Sequence, residues 1–222
     1  MRLLRFIMAL GCLLTPITVG GQTVTSKNGN IYFSPKSSGE VLQLTAKGLD
    51  REPNLSPDAR LVVFVRSTPG QEVEGPTGPA EKTELWAIRT DGKEPRLLLK
   101  GGVETAPNGV RVAYFKSPQF SPDGAQVYFL SLGWVVSDAV YALNMKTGKL
   151  RAVCPANSLL VIRKGEYAGD LVVEQHRYFM GSGSYDWVYV VTPDGKEIGT
   201  LGDSDDPILK DRLKEILSRG NK

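Results

Sequence analysis

The chain has 222 residues, 41% of them apolar and 23% charged, with 24 glycines and 14 prolines. That length supports a real hydrophobic core, and the glycine and proline load favours a loop-rich, strand-built chain over a helical one. A formal charge of +3, one histidine and two cysteines exclude a strongly basic nucleic-acid binder and leave too few ligands for a usual zinc site.

Residues 1–21, MRLLRFIMALGCLLTPITVGG, place Arg2 and Arg5 before an apolar run that ends in small residues. This is the order of a secretory signal peptide and predicts a periplasmic or secreted protein. Cys12 follows Gly11 as in a lipoprotein site. Ala9 stands where an aliphatic residue is wanted, however, and the apolar run continues past the cysteine, so cleavage near Gly21 is the preferred reading. Cleavage leaves the charges nearly balanced and Cys154 as the sole cysteine, expected to be a small buried hydrophobe at a strand end. No later stretch reaches the ~20 apolar residues of a spanning helix.

Residues 22–203 read as one repeat domain. NLSPDARLVVFVR (54–66) and QFSPDGAQVYFLS (119–131) are the same phrase written twice. Ser, Pro and Asp supply type I turn chemistry, so Asp58 and Asp123 are turn residues and not catalytic carboxylates. Ala59 replaces Gly124, a loss the turn is expected to tolerate. Val62 and Phe64 match Val127 and Phe129 at alternate positions of the following strand, which places them on one face. A second phrase, an apolar run, a glycine turn and another apolar run, recurs at 31–45, 85–99, 140–154 and 187–201, with turn glycines Gly39, Gly92, Gly148 and Gly195. Residues 159–179 form a third, worn strand pair around Gly169. STPGQEVEGPTGPA (67–80) has the composition of an exposed loop, as does SLGWVVSD around Trp134.

Four strands per unit of roughly 45 residues is the period of a propeller blade. The FSPDG turn followed by an LWAIRTDGKEPRLL-type hairpin resembles the TolB-like β-propeller repeat family, a relative of the WD repeats. The likeness is close over 30–155 and loose over 156–201. It implies an all-β fold of propeller-type four-stranded blades with a C-terminal α-helix, and says little about function. A separate N-terminal α/β domain is lacking and the repeats are few, so TolB itself is not implied. The count comes to about three and a half blades. Residues 22–30 could add outer pairing for a small four-bladed ring, the blades could stay an open arc or stack as a curved sandwich, or a second chain could complete the set.

Residues 204–222 predict an amphipathic helix and tail. Ser204, Asp205 or Asp206 serves as the N-cap and Pro207 opens the first turn, with basic residues at the far end. Ile208, Leu209, Leu213, Ile216 and Leu217 form an apolar side expected to pack on the last blade or, alternatively, to dock a partner.

Chemistry is sparse. His176, the only histidine, lies in EQHRYFMGSGSYDW (174–187) with Ser182, Ser184 and Asp186 nearby. A nucleophile–base–orienter set can be sketched there, but GSGSY lacks the final glycine of a nucleophile elbow. GDSDDP (202–207) lacks the spacing of a calcium loop, and no phosphate-binding glycine loop occurs. The reading is therefore no catalytic residue, no metal and no cofactor. Aromatic residues and arginine are the types enriched in binding hot spots, which marks His176, Arg177, Tyr185, Asp186, Trp187 and Trp134 as candidate partner-binding residues. The expected function is non-catalytic binding of a protein, peptide or envelope polymer. The alternatives are a small hydrolase or peptidase-associated propeller using the His176/Asp186 loop, and a structural subunit that dimerises.

Overall fold

The computed structural model describes residues 19–36, 39–75, 78–105, 111–134 and 137–219, the side chains of 103–105, 111 and 134 excepted. The run through residue 18, read from the sequence as part of a signal peptide, Cys12 within it, and the Trp134 side chain lie outside the described residues.

Four antiparallel sheets follow one another, each built from consecutive strands. The first has three strands: β1 (Thr23–Lys27), β2 (Asn30–Ser34) and β3 (Leu42–Gln43). The second has four: β4 (Asp50–Leu55), β5 (Leu61–Gly75), β6 (Gly78–Arg89) and β7 (Arg96–Lys100). A two-stranded excursion, β8 (Gly102–Thr105) with β9 (Arg111–Val112), leads to the third: β10 (Lys116–Phe120), β11 (Gln126–Trp134), β12 (Ser137–Asn144) and β13 (Leu150–Pro155). The fourth comprises β14 (Ser158–Val161), β15 (Leu171–Tyr178), β16 (Ser184–Val191) and β17 (Glu197–Asp203), and the helix α1 (Leu209–Ser218) follows.

The near-continuous apolar runs of β5, β11 and β15 make sense because these sheets are covered on both faces. Val62 and Phe64 join Val24, Ile31 and Phe33 in a core shared with the first sheet. Val63 and Val65 join Phe120, Val127 and Phe129 in the core between the second and third sheets. Tyr128 and Leu130 then meet Leu171 and Val173 between the third and fourth. Odd and even side chains of one strand thus serve different cores. The repeat alignment holds residue by residue: Val62, Phe64, Val127 and Phe129 all face the preceding sheet.

The last core belongs to the helix. Leu209 and Leu213 are buried against Ile162, Val172, Val188, Val190 and Leu201 of the fourth sheet. Packing on the final blade is therefore the role of α1. Its start differs from expectation: the N-cap is Ile208 with no side-chain cap bond, and only Asp211 is acidic in the first turn. The Asp206 carboxylate, two residues before that N-cap, accepts the Ile208 N–H at 3.0 Å, because an Asx turn through Pro207 delays helical geometry. No basic residue lies in the last turn. Among the described residues no helix is long and apolar enough to cross a membrane.

Three further differences concern strands. Residues 67–75 and 78–80 extend the β5–β6 hairpin to the pair Gly75↔Gly78, with a register break between Ser67 and Glu72. Strand pairing of the Glu–Val alternation there overrides the loop composition. The SLGWVVSD segment likewise continues β11 to Trp134 and restarts at Ser137. In the first sheet, residues 23–27 provide the strand nearest β4, with the Ser26 hydroxyl donating to the Asp50 carbonyl at 3.1 Å. They supply the inner position, and among the described residues this sheet has three strands and no outer, fourth one.

The SPD turns match the sequence reading except at Ala59. The Ser56 and Ser121 hydroxyls each donate to the Asp two residues on, at 2.6 Å, and those bonds, with backbone N–H groups, hold both carboxyls below their ordinary range. Gly124 has φ +72° and Ala59 φ +56°. The position requires the left-handed region, so alanine there costs about 1 kcal/mol and the replacement is not neutral.

Candidate functional site

The same phrase carries a second device that turn chemistry hides. The residue two before each SPD serine, Asn54 or Gln119, reaches from its own inner strand to the next. Asn54 Oδ1 accepts the Phe120 N–H at 3.1 Å. Gln119 donates to the Leu159 carbonyl at 2.8 Å and accepts the Val161 N–H at 3.0 Å. Arg163, beyond β14, donates to Asn54 Oδ1 at 2.6 Å. Buried amides thus satisfy inner-strand edges that no neighbouring strand pairs. The inner ends of the blades are stapled, and the rigid frame they form carries the β15–β16 hairpin.

That hairpin pairs Tyr178 with Ser184, Arg177 with Tyr185, His176 with Asp186, Gln175 with Trp187 and Glu174 with Val188. The Phe179 N–H donates to the Gly183 carbonyl at 3.0 Å and closes the tip. Alternation splits the side chains between two faces. On one face Phe179, Tyr185 and Trp187 form a chain of rings with centroids 4.6 Å and 5.4 Å apart. Arg177 lies 3.9 Å above the Tyr189 ring, is bonded to Gln175 and pairs with Glu197 at 2.7 Å. It fixes the hairpin to β17. On the other face the Asp186 carboxylate accepts from His176 Nδ1 at 2.7 Å, and Tyr178 meets the His176 ring edge-on at 5.1 Å.

At the tip, Tyr178 is 65%, Phe179 58% and Met180 105% exposed, and Trp187 is exposed behind them. Exposed apolar side chains thus cluster at the hairpin tip. The structure gathers His176, Arg177, Tyr185, Asp186 and Trp187 at one place. Tyr178, Phe179 and Met180 form its outermost part. Composition had marked their segment, but only the register shows which of its side chains point outward.

Of the hydrolytic sketch, the structure brings together His176 and Asp186. Among the described hydrogen bonds none joins His176 to a serine, threonine or cysteine. Cys154 is buried, and burial pushes its thiol up to about 11, which keeps it protonated. No three His, Cys, Asp or Glu side chains among the described residues are placed to hold a metal ion.

Glu174 is the electrostatic exception. It is only 9% exposed, and burial, followed by repulsion from Asp186, Asp205 and Asp203, pushes its carboxyl up to about 7. The native state therefore holds a proton that the unfolded chain, near 4.5, has lost. Stability falls as pH rises from about 4.5 to about 7, by an amount on the order of 3 kcal/mol, and is level above that. Glu174→Gln removes this fall. Urea unfolding of both proteins should show similar stability at pH 4.5 and a more stable variant at pH 8; equal stabilities at pH 8 would count against a raised Glu174.

No protein-family model matches the sequence, and no curated protein does. Solved structures do. The tricorn protease is similar at 10% identity over 85% of this chain and 22% of that one, with a TM-score of 0.56. The β-propeller domain of the Trilobed protease from Pyrococcus furiosus is similar at 12% identity over 80% and 52%, with a TM-score of 0.50. TolB from Acinetobacter baumannii matches at 15% identity over 81% and 51%, with a TM-score of 0.38. The chain spans about half or less of the length of these structures. Identities this low speak to fold, and the fold is that of propeller blades.

Proposed function

We propose that these propeller blades form a non-catalytic recognition module, periplasmic or secreted, that presents the β15–β16 tip to a protein or peptide partner of the cell envelope. The observation that carries this reading is the exposed trio Tyr178, Phe179 and Met180, of which Phe179 packs on Tyr185 and Tyr178 on His176. For those two rings little side-chain order remains to be imposed on binding, which favours affinity. Arg177 and the His176–Asp186 pair set the hairpin's pose, and Trp187 lies behind the tip. In affinity capture from envelope extract, the full chain should retain a partner that the Phe179→Ser/Met180→Ser variant loses by about tenfold or more. Both side chains are exposed, so the variant should melt at the same temperature. Retention equal in the two proteins, or no retained partner, would sink the proposal. The peptidase-associated alternative draws on the two proteases among the similar structures, and it predicts that the retained partner is a hydrolase.

A further inference from the structure

We infer that the exported chain begins at Gln22 and that this residue closes on itself as an N-terminal pyroglutamyl lactam; this rests on the export proposed above and not on docking at the tip. Val19, Gly20 and Gly21 put short side chains at the positions a leader peptidase reads, the last before the cut and the third before it. The fold places its first strand immediately beyond. β1 opens at Thr23, which pairs with Ser34. Ahead of it, the Gln22 N–H donates to the Val19 carbonyl at 2.9 Å and the Val19 N–H to the Gln22 carbonyl at 3.1 Å, closing a turn through Gly20 and Gly21. Hydrolysis by the peptidase adds water across the Gly21–Gln22 bond. It gives up that turn and the partly buried Val19, and leaves every pair of β1 with β2 in place.

Gln22 then carries a free α-amine within ring-closing reach of its own side-chain amide. The amine nitrogen attacks Cδ: the N–Cδ bond forms, the Cδ–Nε2 bond breaks, and Nε2 leaves as ammonia with a proton from the amine. The side-chain oxygen Oε1 is buried with no hydrogen-bond partner among the described residues, so closing the ring takes it from nothing. The surroundings also favour the attacking form of the amine. Two residues on, Val24 is 4% exposed in the core shared with the second sheet. The Lys36 side chain runs beside Gly21, where an added Cβ would lie 3.0 Å from Lys36 Cδ. Nearness to an apolar core and to a lysine disfavours an ammonium and favours the neutral nucleophile, and the lactam removes the charge altogether. A lactam also offers an aminopeptidase no amine to start from. That preserves β1, whose Val24 fills the first core and whose Ser26 hydroxyl ties the first sheet to Asp50.

The test expresses the full 222-residue chain in a bacterial host and recovers it from the periplasmic fraction. Intact mass spectrometry should give the mass of residues 22–222 less one ammonia, and the tryptic peptide of residues 22–27 should show the same loss. Edman degradation of that peptide should stall until pyroglutamyl aminopeptidase removes the first residue, after which Thr23 is read. Gln22→Ala should be cut at the same bond and start with an unblocked alanine. A Gln22 amine that stays free through prolonged incubation at neutral pH, a start at any other residue (a lipid-bearing Cys12 included), an uncut leader, or a block that persists in Gln22→Ala would overturn the inference. An uncut leader would also remove the export proposed above. Loss of tip-dependent capture with the lactam in place removes only the docking reading.

Discussion

Asp50→Ala should cost the fold about 3–5 kcal/mol, the range for removing one partner of a buried ion pair. Asp50 is fully buried and accepts from Arg66 through two bonds, Nε to Oδ1 at 2.6 Å and Nη2 to Oδ2 at 2.9 Å. The guanidinium also stacks 4.4 Å from the Trp86 ring. Asp50 has a third duty: its N–H donates to the Gly29 carbonyl at 2.7 Å, tying the second sheet to the first. The substitution leaves Arg66 charged, buried and unpaired. For a chain of this size the melting temperature should fall by about 10 °C. The double variant Asp50→Val/Arg66→Met should recover most of the loss, since an apolar pair of similar volume is often no worse than the ions. A small loss in the single variant, or no recovery in the double, would show that the pair is not what holds this corner.

Among the recurring turn glycines Gly92, Gly148 and Gly195, Gly195→Ala should be the most damaging substitution, at about 3 kcal/mol or more. The turn glycines Gly92, Gly148 and Gly195 look equivalent in sequence, and all have positive φ, +79°, +69° and +90°. An added Cβ at Gly92 or Gly148 meets open space, whereas at Gly195 it lands well inside contact distance of the Val153 carbonyl oxygen of the neighbouring sheet. The first two substitutions should therefore cost about 1–2 kcal/mol of backbone strain. Gly195→Ala adds the overpacking penalty of a backbone that cannot step aside. Chemical denaturation of the three variants checks the order, and equal losses would refute the steric account.

That contrast shows what a sequence can and cannot disclose. Turn chemistry and alternation are local, so the SPD turns, the glycine hairpins and the two-faced strands were all legible. Contacts between sheets are not local. Nothing in TPDGKE reveals that Gly195 touches Val153, and nothing in PNLSPD reveals that Asn54 reaches across to Phe120. The long β5–β6 hairpin was missed because its glycines and prolines outweighed an alternation that becomes decisive only once two strands pair. At the tip, composition identified the segment and marked Trp187, but not Tyr178, Phe179 and Met180 as its exposed apex. Glu174 was passed over because an isolated glutamate in a strand carries no sign of being surrounded by other acids.

Each sheet pairs consecutive strands, and among the described residues none borrows a strand from another. Such a chain can assemble in the order in which it is synthesised: every new set of strands finds the preceding one already formed and seals a core against it. The fourth set is followed by the helix α1. Until residues 209–218 emerge, Val188, Val190 and Leu201 have nothing to cover them, so the interval before the helix arrives is the stage most exposed to misassembly.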